Sequence, residues 1–256
     1  MRINLIIVGC NQPMASSDHK VVGLFDLLGF SNRVTREGLP GLLAAYNKLL
    51  ALVRRREGGG MLNCRIPAGD GAFAAAYGIF DLEHAYFSDT IVLWCTYNTF
   101  CFPPFCDVCN EFICEVLESG LPIRAGIAVG ELHMDKATGT YLGKALVEAA
   151  VVEKAQEWIG ASFGPSFAVA PYNSFFMASS VLVYRDHVKD RRFDLVPGLV
   201  LDWPRTWRGT RRASIQCHLS AMNTDPKFAS YYQNTMKFAD LSESNSGWQA
   251  AGSIHT

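Results

Sequence analysis

The chain has 256 residues, of which 49% are hydrophobic and 18% are charged. This composition excludes a largely disordered chain, and the length suffices for one large domain or two small ones. The net charge of -1 excludes a general attraction for nucleic acid or an anionic membrane, so any anionic ligand has to be bound by a local site.

The first predicted strand covers residues 21–25 and ends directly before Asp26. Gly29, Phe30 and Ser31 follow, and then residues that can begin a helix. An acid at this position has two interpretations. It either caps the helix or binds a metal ion next to backbone amides that hold phosphates.

A pair of strands is predicted further along, at residues 83–87 and 90–96, joined by the two-residue turn Ser88-Asp89. Between the first strand and this hairpin, leucines and other apolar residues at three- and four-residue spacing predict a helix over 39–56. The Gly- and Ala-rich residues 61–82 are predicted to be a loosely patterned connection. The hairpin places Asp89 at a strand tip.

The rest of the chain gives signals of decreasing strength. The predicted elements are a helix at 104–119, a strand at 122–132, a hairpin return through 136–139 into 140–142, a helix at 143–158, a strand at 167–170, a helix at 173–179, strands at 181–185 and 199–203, and a helix at 227–239. We expect a leader at 1–19, a single domain at 20–240 and a flexible tail at 241–256. The order of elements predicts an α/β fold of ferredoxin-like type with an antiparallel or mixed sheet.

Eight cysteines raise the question of a disulfide framework or a zinc site. Cys101, Cys106, Cys109 and Cys114 are close together in a segment with helical periodicity, and neither a second C-x-x-C pair nor a histidine pair at finger spacing follows. We interpret them as reduced core thiols, with metal or redox use as the alternative. A cytoplasmic location is the simplest account. The sequence contains no run of eighteen apolar residues that would predict a membrane-spanning helix.

Asp26 and Asp89 would be neighbours if their strands lie side by side. Two carboxylates near a helix N-terminus can hold two divalent cations, Mg²⁺ or Mn²⁺. One cation could activate a hydroxyl and the other could neutralise a triphosphate. Phosphoryl transfer is mostly positioning and charge stabilisation, so two acids and a set of amides are a sufficient minimum.

Four segments together resemble the catalytic domain of class III nucleotidyl cyclases. They are FDLLGFS at 25–31, FSDT at 87–90, RAGIAVGE at 124–131, and the hairpin and helix at 140–153. The resemblance covers residues 21–160. It implies that Asp26, Asp89 and the Leu27 carbonyl bind metal, and that the amides of Leu28, Gly29, Phe30 and Ser31 hold the β- and γ-phosphates.

The sequence departs from the purine cyclases where they read the base and stabilise the transition state. Val147 and Val151 stand where an Asn and an Arg are usual, and Thr140 stands at the place of the base-reading acid. With the metal acids retained, the chain is most similar to the pyrimidine cyclases of bacterial Pycsar anti-phage systems. That similarity implies conversion of UTP or CTP to cyclic UMP or cyclic CMP, with UTP favoured.

Further roles implied by the resemblance concern the substrate and the assembly. Thr140 and Tyr46 would contact the base, and Lys144 would compensate phosphate charge, although a lysine at a helix start is more often solvated. Arg124 is interpreted as structural. The resemblance implies a homodimer with composite sites at its interface. The alternatives are an adenylate or guanylate cyclase, and an inactive cyclase fold that binds nucleotide or dimerises.

Overall fold

The computed structural model describes residues 19–54, 58–69, 72–98, 101–169, 180–222 and 226–245. Most of the predicted leader and the predicted helix at 173–179 lie outside these ranges. The strands are β1 (His19–Leu27), β2 (Gly58–Gly69), β3 (Ala72–Phe87), β4 (Thr90–Thr96), β5 (Ile123–Glu131), β6 (His133–Asp135), β7 (Thr140–Leu142), β8 (Gly160–Phe163), β9 (Val181–Val183) and β10 (Leu199–Leu201).

The helices flank the sheet. They are α1 (Phe30–Arg54), α2 (Phe102–Glu118), α3 (Lys144–Lys154), α4 (Ser166–Val169), α5 (Trp203–Thr210), α6 (Ile215–Ala221) and α7 (Ala229–Ser244). Two 3₁₀ turns cover Lys189–Arg191 and Pro226–Phe228. Among the described helices, none combines the length and apolar character that a membrane span needs.

The main sheet has the strand order β2-β3-β4-β1-β5-β8-β10-β9. The β5–β8 pair is parallel and the other pairs are antiparallel. The elements β1, α1, β3, β4, α2 and β5 form a βαββαβ unit in which β1 lies between β4 and β5. This arrangement is the ferredoxin-like pattern. The predicted α/β fold with a mostly antiparallel sheet is therefore confirmed.

Strand alternation divides the interior into two layers. Val21 and Phe25 of β1 point to the larger core with α2, where the Phe25 and Phe112 rings meet edge to face at 5.1 Å. Val22 and Leu24 point to the opposite face and the smaller core with Ala149 of α3. Because side chains of a strand alternate, Asp26 belongs to the α3 face of the sheet.

Helix α3 crosses β5 at very short distance because Gly126 has no side chain there. A Cβ at position 126 would overlap the carbonyl oxygen of Ala149 and lie 2.7 Å from the backbone nitrogen of Glu153. Close approach of this kind is a role that glycine in a strand often has. It brings the last turn of α3 directly onto the sheet beside Arg124.

The cysteines in α2 and at its N-cap are buried thiols. Cys101, Cys106, Cys109 and Cys114 have 0–1% relative exposure. Burial raises the pKa of the Cys106 thiol well above its ordinary range and that of Cys114 to about 12. Cys106 and Cys114 are therefore protonated at neutral pH, and all four side chains belong to the core, as the helical periodicity predicted.

The predicted connection at 61–82 is wrong, because the structure has the hairpin of β2 and β3 there. Its Gly and Ala residues have low strand propensity, so pairing between the two backbones, not local preference, makes the strands. Helix α1 begins at Phe30, earlier than predicted, and is broken at Gly38, whose φ is 71°. The break precedes Pro40, which disfavours a continuous helix.

The second half of the chain contains three further corrections. Helix α3 ends at Lys154, not at 158, because Gln156 turns inward to bond with the backbone of β5. Residues 167–169 of the predicted strand at 167–170 belong to a helical turn, α4, and the strand of this region is β8, which lies earlier. Helix α7 extends to Ser244 into the predicted tail, since Ser242 is buried and donates to Asp202.

Candidate active site

Asp26 is the second-last residue of β1, which is hydrogen-bonded on both sides. In register it lies opposite Thr90 of β4 and opposite Arg124 of β5. Its side chain is 27% exposed. The carboxylate therefore sits at the end of the central strand, open to solvent on one side and covered by α3 on the other.

Asp89 reaches the same end of the sheet through the turn between β3 and β4. Ser88 takes the left-handed conformation with a φ of 56°, which closes the two-residue turn. The backbone amide of Leu27 donates to the carbonyl oxygen of Asp89 at 3.0 Å. The hairpin tip is thus fastened to the residue that follows Asp26, and the two aspartates are brought together.

A third acid, Glu153, joins the two aspartates from the last turn of α3. Burial and the negative charge of Glu153 raise the pKa of Asp26 to about 7, and the charge of Asp89 adds to this rise. The positive charge of Arg124 lowers the pKa of Asp26, but by less than the other effects raise it. Glu153 was not predicted from the sequence as a site residue, although its four-residue spacing from the core residue Ala149 puts it on the buried face of the helix.

Arg124 is the cation of this cluster, and it is 7% exposed. Its Nε donates to Glu153 at 2.5 Å, and one terminal nitrogen donates to the Gln156 carbonyl and the Tyr231 hydroxyl at 2.9 and 3.0 Å. The other terminal nitrogen lies 3.8 Å from Oδ2 of Asp26. These bonds agree with the structural role predicted for Arg124.

The balance of charge at this end of the sheet fits a divalent cation. Among the side chains that the structure describes here, Asp26, Asp89 and Glu153 are three acids beside one guanidinium, and that guanidinium is already paired with Glu153. In the described part of the chain, no three metal-ligating side chains form a complete cation site. Two carboxylates would hold a cation whose other ligands come from phosphates or water, as is common for Mg²⁺.

The loop after Asp26 leads from β1 into α1. Gly29 has a φ of 73°, which a side chain rarely adopts, and α1 begins at Phe30. The Leu28 amide donates to the Pro122 carbonyl at 2.9 Å. This bond corrects the expectation that the Leu28 amide holds phosphate. The amides of Gly29, Phe30 and Ser31 remain the candidates for holding the phosphates. They lie at the start of a helix, where the first amides lack intrahelical acceptors.

The residues predicted to meet the base are divided between two places. Tyr46 of α1 contacts Phe30 and Tyr86, and its pKa is raised by burial and by the charges of Tyr86 and Asp89, which places it near the hairpin tip. Its hydroxyl is buried without a partner among the described residues. Thr140 begins β7, where its hydroxyl accepts from Thr138 at 2.9 Å.

Helix α3 carries the remaining predicted positions. Lys144 begins the helix, is 85% exposed and lies 3.6 Å from a carboxylate oxygen of Glu131. It is therefore solvated in this structure, with one weak ion pair. Val147 and Val151 are 65% and 40% exposed. Neither valine is part of the core, so both are apolar side chains on the exposed surface of α3.

Comparison with known proteins yields structural similarity alone. No family model matches the chain, and no curated protein does. Similar solved structures include the catalytic core of a rhodopsin-guanylyl cyclase with converted specificity (11% identity, TM-score 0.42, 66% of this chain and 85% of that chain), the adenylyl cyclase CyaB from P. aeruginosa (13%, 0.42, 72% and 91%) and adenylate cyclases from Trypanosoma brucei (12%, 0.43, 72% and 88%). At TM-scores below 0.5 these similarities decide nothing about function.

Proposed function

We propose that the protein is a metal-dependent nucleotidyl cyclase that converts a pyrimidine nucleoside triphosphate, UTP or CTP, to its 3′,5′-cyclic monophosphate and pyrophosphate. The observation that carries the proposal is the meeting of Asp26 and Asp89 at two neighbouring strand ends, beside the start of α1. Carboxylates forced together at a half-buried position repel each other and favour a cation between them.

The chain's own groups supply binding and orientation for this reaction. Asp26 and Asp89 would hold the two divalent cations, Mg²⁺ or Mn²⁺, with the Leu27 carbonyl as a further ligand. The amides of Gly29, Phe30 and Ser31 would orient the β- and γ-phosphates. When bound, the cations favour deprotonation of the ribose 3′-hydroxyl and neutralise the triphosphate. That hydroxyl attacks the α-phosphate, and pyrophosphate leaves.

The preference for a pyrimidine rests on the resemblance and on the surface of α3. Valines at positions 147 and 151 cannot donate hydrogen bonds to a ribose or a phosphate, so a purine cyclase of the usual kind lacks its partners here. Thr140, Tyr46 and Lys144 are the candidates for base and phosphate contacts. From the same resemblance we also propose that the cyclic nucleotide is an alarm signal in anti-phage defence.

An experiment with four substrates tests this function and its alternatives. The protein is incubated with ATP, GTP, UTP or CTP and Mn²⁺, and the products are identified by chromatography and mass. Cyclic UMP or cyclic CMP is expected. Cyclic AMP or cyclic GMP would identify a purine cyclase. Nucleotide binding without pyrophosphate release from any substrate would favour the inactive module, which the exposed valines also permit.

We propose in addition that the protein is a homodimer whose sites lie at the interface. Four apolar side chains around the site are unusually exposed: Phe87 38%, Leu142 63%, Val147 65% and Val151 40%. The Phe87 ring contacts Tyr141, which joins the hairpin tip to β7. A surface of this kind beside a polar site fits a second copy of the chain.

The Val147→Asp variant is expected to convert the dimer to a monomer, because it places a charge in the apolar interface. Sedimentation velocity at tens of micromolar protein measures the state. Val183→Asp is the matched control, since Val183 is also exposed (37%) and lies on β9 at the far side of the sheet. A monomeric wild type, or a Val147→Asp variant that remains dimeric, would contradict the proposed assembly.

A further inference from the structure

Arg124 is placed where it can compete with a cation for Asp26. The two residues lie opposite each other in register, and a terminal guanidinium nitrogen is 3.8 Å from Oδ2 of Asp26. A direct hydrogen bond between these groups would need about 3 Å. The guanidinium therefore stops short of Asp26 by less than one ångström.

Bonds to other groups explain why Arg124 stops short. Glu153 contacts both Nε and the terminal nitrogen that faces Asp26, while the Gln156 carbonyl and the Tyr231 hydroxyl accept from the other terminal nitrogen. The guanidinium carbon also lies 5.5 Å from the centre of the Tyr231 ring. A planar guanidinium fixed at several points cannot rotate toward a new partner without breaking these bonds.

The Tyr231 contact comes from the C-terminal segment, far along the chain from the acids. The same segment reaches the loop after Asp26, because a Cβ at Gly29 would lie 3.2 Å from the Phe228 ring. Helix α7 is held in turn by Tyr184, whose hydroxyl donates to the Asn234 carbonyl at 3.0 Å. Phe228 and Tyr231 thus contact the metal-binding end of the sheet at two points.

We propose that Tyr231 is a positioning residue for the metal site. By helping to anchor Arg124 beyond hydrogen-bonding distance, it keeps the guanidinium off the Asp26 carboxylate, so that Arg124 does not compete there with a divalent cation. Without this anchor the guanidinium keeps Glu153 and the Gln156 carbonyl as partners but is held less firmly, so it tilts toward Asp26 and competes with the cation for that carboxylate. The inference rests on the proposed function, since it takes Asp26 as a metal ligand, and it assigns to the C-terminal helix a part in that site.

Tyr231→Phe tests the inference because it removes the hydroxyl alone and keeps the ring on Arg124. Binding of Mn²⁺ alone is measured by electron paramagnetic resonance of the free ion. We expect the Kd to rise by about tenfold, the ratio that one hydrogen bond to a charged group supports. The Mn²⁺ concentration for half-maximal turnover is expected to rise equally, with kcat at saturating Mn²⁺ within about twofold of wild type.

Tyr184→Phe is the matched control, since it also removes a tyrosine hydroxyl bonded within the α7 region. It is expected to leave the Kd for Mn²⁺ unchanged. An unchanged Kd in Tyr231→Phe, with binding lost in Asp26→Asn, would overturn the inference and leave the proposed function standing. Unchanged Mn²⁺ binding in Asp26→Asn would overturn the metal site and the inference together. An equal rise in both tyrosine variants would mean a general effect of α7 and would also overturn the inference.

Discussion

Asp26→Asn is expected to abolish turnover while making the metal-free protein more stable. An amide is a poor ligand for a divalent cation, so we expect a loss of at least roughly 10³-fold in kcat. The same change removes a negative charge that burial, Glu153 and Asp89 disfavour. A gain of about 1–2 kcal/mol in unfolding free energy is expected. This gain is smaller than the free energy equivalent to the full pKa shift, because the side chain is 27% exposed and water screens its charge.

The gain in stability has a defined pH dependence. The pKa of Asp26 is about 7 in the folded protein and near 3.8 in the unfolded chain. The wild type therefore loses stability from this group as pH rises from 4 to 7, and the loss is complete above 7. The advantage of Asp26→Asn should be largest at pH 8 and should vanish below pH 4. Chemical denaturation at these two values, in the presence of a chelator, measures it.

Asp202→Asn is the control for the charge argument. Asp202 is also a buried acid with a raised pKa, but it caps α5 and accepts bonds from Arg205 and Ser242. Its replacement should keep turnover and give no gain in stability, because it removes an acceptor that is in use. Wild-type turnover in folded Asp26→Asn would contradict the proposed metal site. If Asp26→Asn lost as much stability at pH 8 as Asp202→Asn does, that result would contradict the charge repulsion assigned to Asp26.

Gly126→Ala is expected to destabilise the protein by about 3 kcal/mol or more, because a single methyl group meets backbone atoms and not a flexible side chain. The Ala149 carbonyl and the Glu153 nitrogen would have to move, which requires α3 to lift from β5. For a chain of this length the cost corresponds to a fall in Tm of roughly 6–12 °C. Calorimetry measures it.

Gly130→Ala, on the same face of β5, separates this clash from a general effect of alanine in the strand. A Cβ at 130 would lie 3.5 Å from the Ala145 nitrogen, an ordinary contact distance. We expect a change within about 1 kcal/mol. Equal stability of the two variants would show that close packing of α3 on β5 is not what requires glycine at 126.

The central elements were predictable because their signals are local. The short apolar run before Asp26 and the Ser-Asp turn between two β-rich runs gave the strands and the hairpin tip. Their side-by-side pairing was only a condition of the prediction that the two aspartates are neighbours, and the structure has this pairing. The hairpin of β2 and β3 was not predictable, since its Gly- and Ala-rich sequence has no alternation and pairing alone defines it.

The electrostatic centre of the site was only partly predictable. The two aspartates are easy to single out because one follows a strand directly and the other lies in a two-residue turn, although an acid at such places is also common as a helix cap or a turn residue. Glu153 stands within an ordinary helical pattern, and Tyr231 is 107 positions away from its partner Arg124. Contacts between distant segments depend on how helices cross the sheet, and helical periodicity does not specify that crossing.

The most direct measurement is the product formed by wild type, Asp26→Asn and Asp89→Asn, side by side, from each of the four nucleoside triphosphates with Mn²⁺. We expect that wild type releases one cyclic nucleotide and an equal amount of pyrophosphate, from UTP or CTP, and that both folded variants release neither. Equal product from wild type and either variant, or no cyclic nucleotide from wild type with any triphosphate, would contradict this expectation.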